Sequence, residues 1–209
     1  GGTILALDTL PGRLIHAGIT LVTIKTFGAV GDGVTDDTTA IQAAFTYAES
    51  QNRKILAPAG HYLTTAELNY TVTSTDQDFA SGIVIQGEGM GKTVFLPKFS
   101  NGAFLYIQST EPYFAKGCSI KGVTILGETI TGPYSNQVGI RTKGVWWSTL
   151  ENVRIIKLNG TAFLAGDDDA VSPDDTANSG MKFTSCEFDE NVGGIYNPVN
   201  NNAPFILLT

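Results

Sequence analysis

The chain is 209 residues long, with a formal net charge of −7, 24 glycines and only 2 cysteines. That length makes a domain with a substantial core, and the acidic balance excludes nucleic acid as the main partner. Two cysteines, Cys118 and Cys186, exclude a disulfide scaffold and read as buried thiols. No run of eighteen apolar residues occurs, so the sequence offers no membrane-spanning helix and no membrane insertion is expected.

Residues 1–26 read as an extended lead-in, with Leu14, Ile15, Ile19, Leu21, Val22 and Ile24 as strand positions; His16 among them reads as structural. The stretch from Phe27 to Phe45 then reads as a strand end, a glycine turn and an amphipathic helix. Gly31 and Gly33 flank Asp32, where the backbone needs positive φ. Thr35, Asp36 and Asp37 supply oxygens and negative charge to the open N–H groups of a helix start. Ile41, Ala44, Phe45 and Ala48 follow at helical spacing, which predicts a helix over Thr38–Ser50 with one apolar stripe. Lys54 to Leu63 reads as strand, Pro-containing turn and strand. Ile83 to Phe95 reads as two strands about the glycine-rich Gly87-Glu88-Gly89-Met90-Gly91 turn. That turn lacks the four-residue gap before Gly-Lys-Thr and the following helix that a phosphate loop requires, so nucleotide binding is rejected.

Taken in order, the Gly-Asp-Gly turn with its helix, the Pro58-Ala59-Gly60-His61-Tyr62 turn and the Ile83–Phe95 segment resemble the N-terminal signature of the pectate-lyase-like superfamily of right-handed parallel β-helices. The third segment is most similar to the first full coil of bacteriophage tailspikes. The match covers residues 24 to about 96, with His61 where a threonine is more usual. The resemblance implies an all-β fold, a right-handed parallel β-helix whose N-terminal amphipathic helix plugs the open end of the solenoid. Residues 27–209 would form that helix and the first coils. It also implies a tailspike-like protein, trimeric, located in the virion tail or outside the cell, which binds and depolymerises a host surface polysaccharide. The alternatives are a secreted polysaccharide lyase or glycoside hydrolase of the same fold, and a non-catalytic adhesive or structural β-helix.

Repeats follow the helix. An apolar pattern recurs as Ile120, Val123, Ile125, then Leu150, Val153, Ile155, then Phe183, Cys186, Phe188, at spacings of 30 and 33 residues. In stacked parallel coils about 4.8 Å apart, equivalent side chains form columns. Val123, Val153 and Cys186 then share one inward column, while Thr124, Arg154 and Glu187 share an outward one, and Lys121, Glu151 and Thr184 another. This register places Lys121 beside Glu151 and Arg154 beside Glu187. Gly139-Ile140, Ala162-Phe163 and Gly194-Ile195 mark a second strand, and Asn152 and Asn191 are candidates for turn hydrogen bonds. The last segment ends apolar with nothing to cover it, so the chain is expected to be a fragment or to be covered by a partner.

Glycoside hydrolysis needs two carboxyl groups at a defined separation. The densest acidic run, Gly166 to Asp175, supplies the catalytic candidates Asp167, Asp168, Asp169 and Asp175. Gly166-Asp167-Asp168 is similar to the Gly-Asp-Asp motif of polygalacturonases, but the Asn-Thr-Asp, Gly-His-Gly and Arg-Ile-Lys motifs that accompany it there are missing. A solvated loop and a weak calcium site are the alternative readings of the same residues. No cofactor is otherwise called for, and no metal ligand is singled out. A lyase of this superfamily would use a basic residue, for which Lys121, Arg141, Lys143, Arg154 and Lys157 are available and none is distinguished; His61 is a weaker candidate. Trp146-Trp147 is the candidate for sugar contact, because indole faces stack on pyranose rings. On a strand one of the two rings points inward and the other outward. Tyr134 and Tyr196 are further aromatic candidates.

Overall fold

The computed structural model describes residues 21–72, 82–109, 115–129, 131–166, 180–196 and 206–208. Strand β1 (Leu21–Thr23) and a 3-10 turn (Ile24–Phe27) lead into β2 (Asp32–Asp36) and the helix α1 (Thr38–Ser50). The chain then coils. A first turn holds β3 (Lys54–Ala57), β4 (Gly60–Thr64) and β5 (Leu68–Val72). A second holds β6 (Val84–Gly87), β7 (Thr93–Pro97), β8 (Gly102–Ser109) and the corner strand β9 (Ala115–Lys116). The third has β10 (Ser119–Leu126), β11 (Gln137–Lys143) and the corner strand β12 (Val145–Trp146); the fourth has β13 (Thr149–Ile156) and β14 (Gly160–Ala165). The fifth has β15 (Met181–Thr184), β16 (Glu187–Asp189) and β17 (Gly193–Tyr196), and β18 (Ile206–Leu208) begins the next.

Every strand pairing among the described residues is parallel and joins equivalent strands of successive coils, so the described part of the chain is all-β apart from its helix. The register produces three inward columns. Val22, Ile55, Ile85, Ile120, Leu150 and Phe183 pair rung by rung in the first. Tyr62, Phe95, Ile125, Ile155 and Phe188 form the second, and Leu68, Leu105, Ile140, Phe163 and Ile195 the third. Together they build one apolar core running the length of the coils.

The apolar repeat read from the sequence is this register: Ile120 pairs with Leu150, Val123 with Val153 and Ile125 with Ile155, and the following coil continues it through Phe183 and Phe188. Glu151 faces Thr184 and Arg154 faces Glu187, which sets Cys186 across from Val153. Cys186 is half-buried against the core, with its Sγ 3.3 Å from the Leu150 carbonyl. One expectation changes. Thr124 holds the outward register position, yet it is buried because the Gly89–Lys92 turn folds over it and the Gly91 N–H donates to its Oγ1 at 3.1 Å.

The side of β10 and β13 that turns between two sheet faces does so at left-handed residues, Gly122 and Asn152, with Ser185 at the next equivalent position. Asn191 closes the following corner: its Oδ1 accepts from the Leu158 N–H at 3.0 Å and its Nδ2 donates to the Ile155 carbonyl at 2.8 Å.

Helix α1 buries Ile41, Ala44, Phe45 and Ala48 against the 3-10 turn, β3 and β5. Strand β5 is the edge of its sheet, and an edge strand carries unpaired backbone groups. The Gln42 amide answers for Asn69 there, donating to its carbonyl and accepting from its N–H, both at 2.8 Å. The glycine turn before the helix has the expected positive φ at Gly31 and Gly33. Its acids divide their work differently from the expectation. Asp36 accepts from the Thr38 N–H at 3.0 Å, whereas the buried Asp37 turns back to the Val30 and Gly31 N–H groups at 2.6 and 2.9 Å, and Thr35 bonds Asp32 instead of the helix. No helix among the described residues is long and apolar enough to cross a membrane.

Candidate functional site

The tryptophan pair sits where the chain leaves β11 and turns into β13. Strand β12 pairs with β9, setting Val145 opposite Ala115 and Trp146 opposite Lys116. Val145 and Ala115 are fully buried, so alternation turns Trp146 outward, where it is half-buried. The strand does not continue. Trp147 adopts φ 51°, the left-handed region, and is 64% exposed. Neither ring is a core side chain, contrary to the in-and-out expectation, because the chain turns between them.

This conformation belongs to the corner, and the neighbouring coils show what it requires. The residues equivalent to Trp147 are Gly117 on one side and Gly180 on the other, with φ 70° and 67°. A side chain in this region costs roughly 1–2 kcal/mol relative to glycine. Two coils therefore use glycine, and the one between them carries the largest side chain available.

Backbone bonds fix the corner. The Gly117 N–H donates to the Trp146 carbonyl at 3.0 Å, Thr149 to Cys118 at 2.8 Å, and Lys182 to Ser148 at 2.8 Å. Buried Ser148 accepts from the Cys118 N–H at 3.1 Å and lies 3.3 Å from the Trp146 carbonyl, within donating distance. The indole of Trp147 leans over Gly180, where a Cβ would fall 2.6 Å from its Cδ1. Among the described residues, its chain neighbours Lys116 and Cys118 aside, a Cβ on Gly117 would meet nothing within 4 Å. Trp146 stands edge-on to Trp147, with ring centroids 6.0 Å apart, and the Lys116 ammonium lies 5.9 Å from the Trp147 ring centre, within cation–π range.

The other candidates are not gathered here. Tyr134, half-buried, lies before β11 in the segment whose Ser135 N–H donates to Ser100 Oγ at 3.0 Å. The tryptophans follow β11, so the 7-residue strand separates the two corners by about 20 Å. Asp167, Asp168, Asp169 and Asp175 lie outside the described residues, in the segment that joins β14 to β15; His16 is outside them too, and only the backbone of Tyr196 is described. His61 is exposed on β4, across from Asp32 and Val94. Among the described residues no three or more His, Cys, Asp or Glu side chains converge as a metal site.

Of the basic residues considered for proton abstraction, three are paired between coils. Lys121 meets Glu151 at 2.7 Å, Lys157 meets Glu190 at 3.4 Å, and Arg154 forms a two-pronged pair with Glu187 at 2.8 and 2.9 Å. The hydrogen bond and charge of Glu187 raise the Arg154 pKa further, which removes it from the role of a neutral base. Arg141 stacks on Tyr106, 4.9 Å from its ring centre. The Lys157–Glu190 pair, Lys116 and the flanking glycines were not singled out from the sequence. The signal for the glycines was present, since the same spacings of 30 and 33 that align the apolar repeats also align Gly117, Trp147 and Gly180.

Comparison with known proteins finds relatives of the sequence and of the fold. A family model described as rhamnogalacturonase A/epimerase, pectate lyase-like, matches residues 21–122. A segment of 72 residues is 40% identical to mannuronan C5-epimerase AlgE5 of Azotobacter vinelandii, covering 34% of this chain and 7% of that enzyme. The solved A-module of the Azotobacter vinelandii epimerase AlgE4 superposes with a TM-score of 0.60 at 20% identity, covering 81% of this chain and 45% of the other. The gp42 tailspike of Acinetobacter phage vb_AbaP_AS12 does so with a TM-score of 0.61 at 13% identity, over 88% of this chain and 38% of its own. The chain thus spans less than half of either solved relative, and at these identities the likeness to them is one of fold. Residues 21–122 are pectate-lyase-like in sequence, and the coils that follow continue the parallel β-helix of these relatives.

Proposed function

We propose that this chain is part of a tailspike-type β-helix protein that binds a bacterial surface polysaccharide, whether capsule, lipopolysaccharide or exopolysaccharide, and depolymerises it. The observation that carries the reading is Trp147: an exposed indole held by a rigid backbone corner in a conformation its neighbours reserve for glycine. Strain kept at an exposed position is a mark of function, and an indole face matches the apolar face of a sugar ring. The fold-level likeness to a phage tailspike supports the assignment to a virion tail, and the reading takes the protein as a homotrimer. In this reading the helix α1 covers the N-terminal end of the solenoid. The acidic run Asp167, Asp168, Asp169 and Asp175 supplies the carboxyl groups or, in the calcium variant, the oxygens for a cation.

The segment 40% identical to a mannuronan C5-epimerase favours a second reading, a polysaccharide-modifying enzyme outside a virion. Incubating the full-length protein with host capsule or lipopolysaccharide, and separately with polymannuronate, distinguishes the two. Shortened chains on size-exclusion chromatography with a trimer by light scattering support the first. Altered uronate stereochemistry at unchanged chain length, read by NMR, supports the second. A protein retained by none of these glycans overturns both.

A further inference from the structure

We propose that the open shelf over Gly117, on the earlier-coil side of the Trp147 indole, is a subsite for one pyranose ring of the bound polysaccharide. The inference rests on the glycan-binding reading above and adds the place, the face and the mode of contact.

The two sides of the indole are not equivalent. The later-coil side is filled, because the ring already lies against Gly180. The earlier-coil side has a glycine at the equivalent backbone position, and among the described residues, its chain neighbours Lys116 and Cys118 aside, nothing lies within 4 Å of the point a Cβ would occupy, with the Lys116 ammonium bordering that space over the ring. Trp146 abuts the indole edge-on and limits its rotation, and the corner beneath is held by backbone hydrogen bonds to both adjacent coils. The platform is therefore formed before any ligand arrives, which lowers the ordering cost of binding. A pyranose with axial C–H groups on one face stacks on such an indole, while the hydroxyl or carboxylate oxygens at its rim accept from the Lys116 ammonium, 5.9 Å from the ring centre.

A sugar fits this corner better than a protein surface does. Protein partners anchor on clusters of apolar side chains. Among the described residues the other exposed large apolar side chains, Leu21, Val30, Val34, Met90 and Val192, belong to other parts of the coil, so the apolar surface at this corner is the Trp147 ring with half-buried Trp146 against it, beside a lysine and two glycines. The other non-glycine residues with positive φ are Asn52, Asn101, Asn136, Asn152, Lys157, Ser185 and Glu190, all polar, so Trp147 is the aromatic exception among the described residues.

Two variants of the full-length protein test the subsite by affinity electrophoresis in gels containing the capsule or lipopolysaccharide that retards the unmodified protein. Trp147→Gly removes the platform and relieves the left-handed conformation, so binding should weaken on the order of tenfold or more while Tm holds or rises. Gly117→Asn keeps the indole, tolerates positive φ and fills the shelf, and should weaken binding comparably. Loss in both variants supports the subsite. Unchanged affinity in either overturns it while leaving the glycan-binding reading intact. If Trp147→Gly lowers Tm as well as affinity, the indole has a structural role and Gly117→Asn alone decides. Absence of retardation for the unmodified protein overturns the functional reading itself.

Discussion

Asp36 and Asp37 are neighbours with different tasks. Asp36 is an exposed acceptor for the Thr38 N–H, for Thr38 Oγ1 at 2.5 Å and for Thr65 Oγ1 at 2.6 Å. Burial pushes its pKa up, but these hydrogen bonds outweigh it and hold it below the ordinary 3.8; Asp32 is lowered as well, chiefly by the Thr35 N–H. A carboxyl lowered on folding contributes stability above its unfolded pKa and loses it as pH falls through the folded value. Tm measured downward from pH 4 should therefore fall, and Asp36→Asn should flatten that limb. The opposite sign applies to Cys118, whose thiol burial pushes up to about 11 from 9.0, and to Tyr62, pushed to about 12 by burial and by the charges of Asp37 and Glu88. Their contribution is present below the unfolded pKa and is lost as pH rises through the folded one, so Tm should decline above about pH 9. Iodoacetamide at pH 8 should leave Cys118 unmodified in the native protein and label it in denaturant, as expected of a buried neutral thiol. Mass spectrometry reads the difference.

Helix α1 shows how far periodicity reaches. Its span, Thr38–Ser50, and its buried stripe were legible because the 3.6-residue period is local. Phe45 is 1% exposed, so Phe45→Ala should cost about 3–5 kcal/mol in urea unfolding, with the loss concentrated in the first coil. The pairing of Gln42 with Asn69 was not legible, because nothing in a helical period marks a residue that will meet a strand edge 27 positions later. Gln42→Ala leaves the half-buried Asn69 N–H and carbonyl without that partner and should cost about 1–3 kcal/mol. Gln42→Leu, which keeps the bulk, should recover little of the loss if hydrogen bonding is what matters.

Across the whole molecule, the coils are held in register by columns of apolar side chains inside and rungs of opposite charge outside. Lys121–Glu151 and Arg154–Glu187 follow from the aligned repeats, and Lys157–Glu190 extends the series at the same spacing of 33. These pairs are roughly half-exposed, so each contributes little, and the register is carried by the core. A double-mutant cycle on Arg154 and Glu187 should give a coupling of about 0.2–1 kcal/mol, shrinking toward zero in 1 M salt. A larger coupling that persisted in salt would show that the pair is shielded from water.

The sequence by itself determined the coil register, the helix and the glycine turn. Stacking identical structural units turns spatial neighbours into fixed spacings, and spacings can be counted along a chain. Val123 over Val153 and Lys121 beside Glu151 are of that kind. Only the tertiary structure decided which outward positions stay open. Thr124 has the register of a surface residue and is buried by a turn from the preceding coil. Trp147 occupies a glycine position and is exposed because its corner bends before a second strand residue can turn inward. Burial at a corner depends on what the adjacent coils lay across it, a contact between distant residues that no period within one coil encodes.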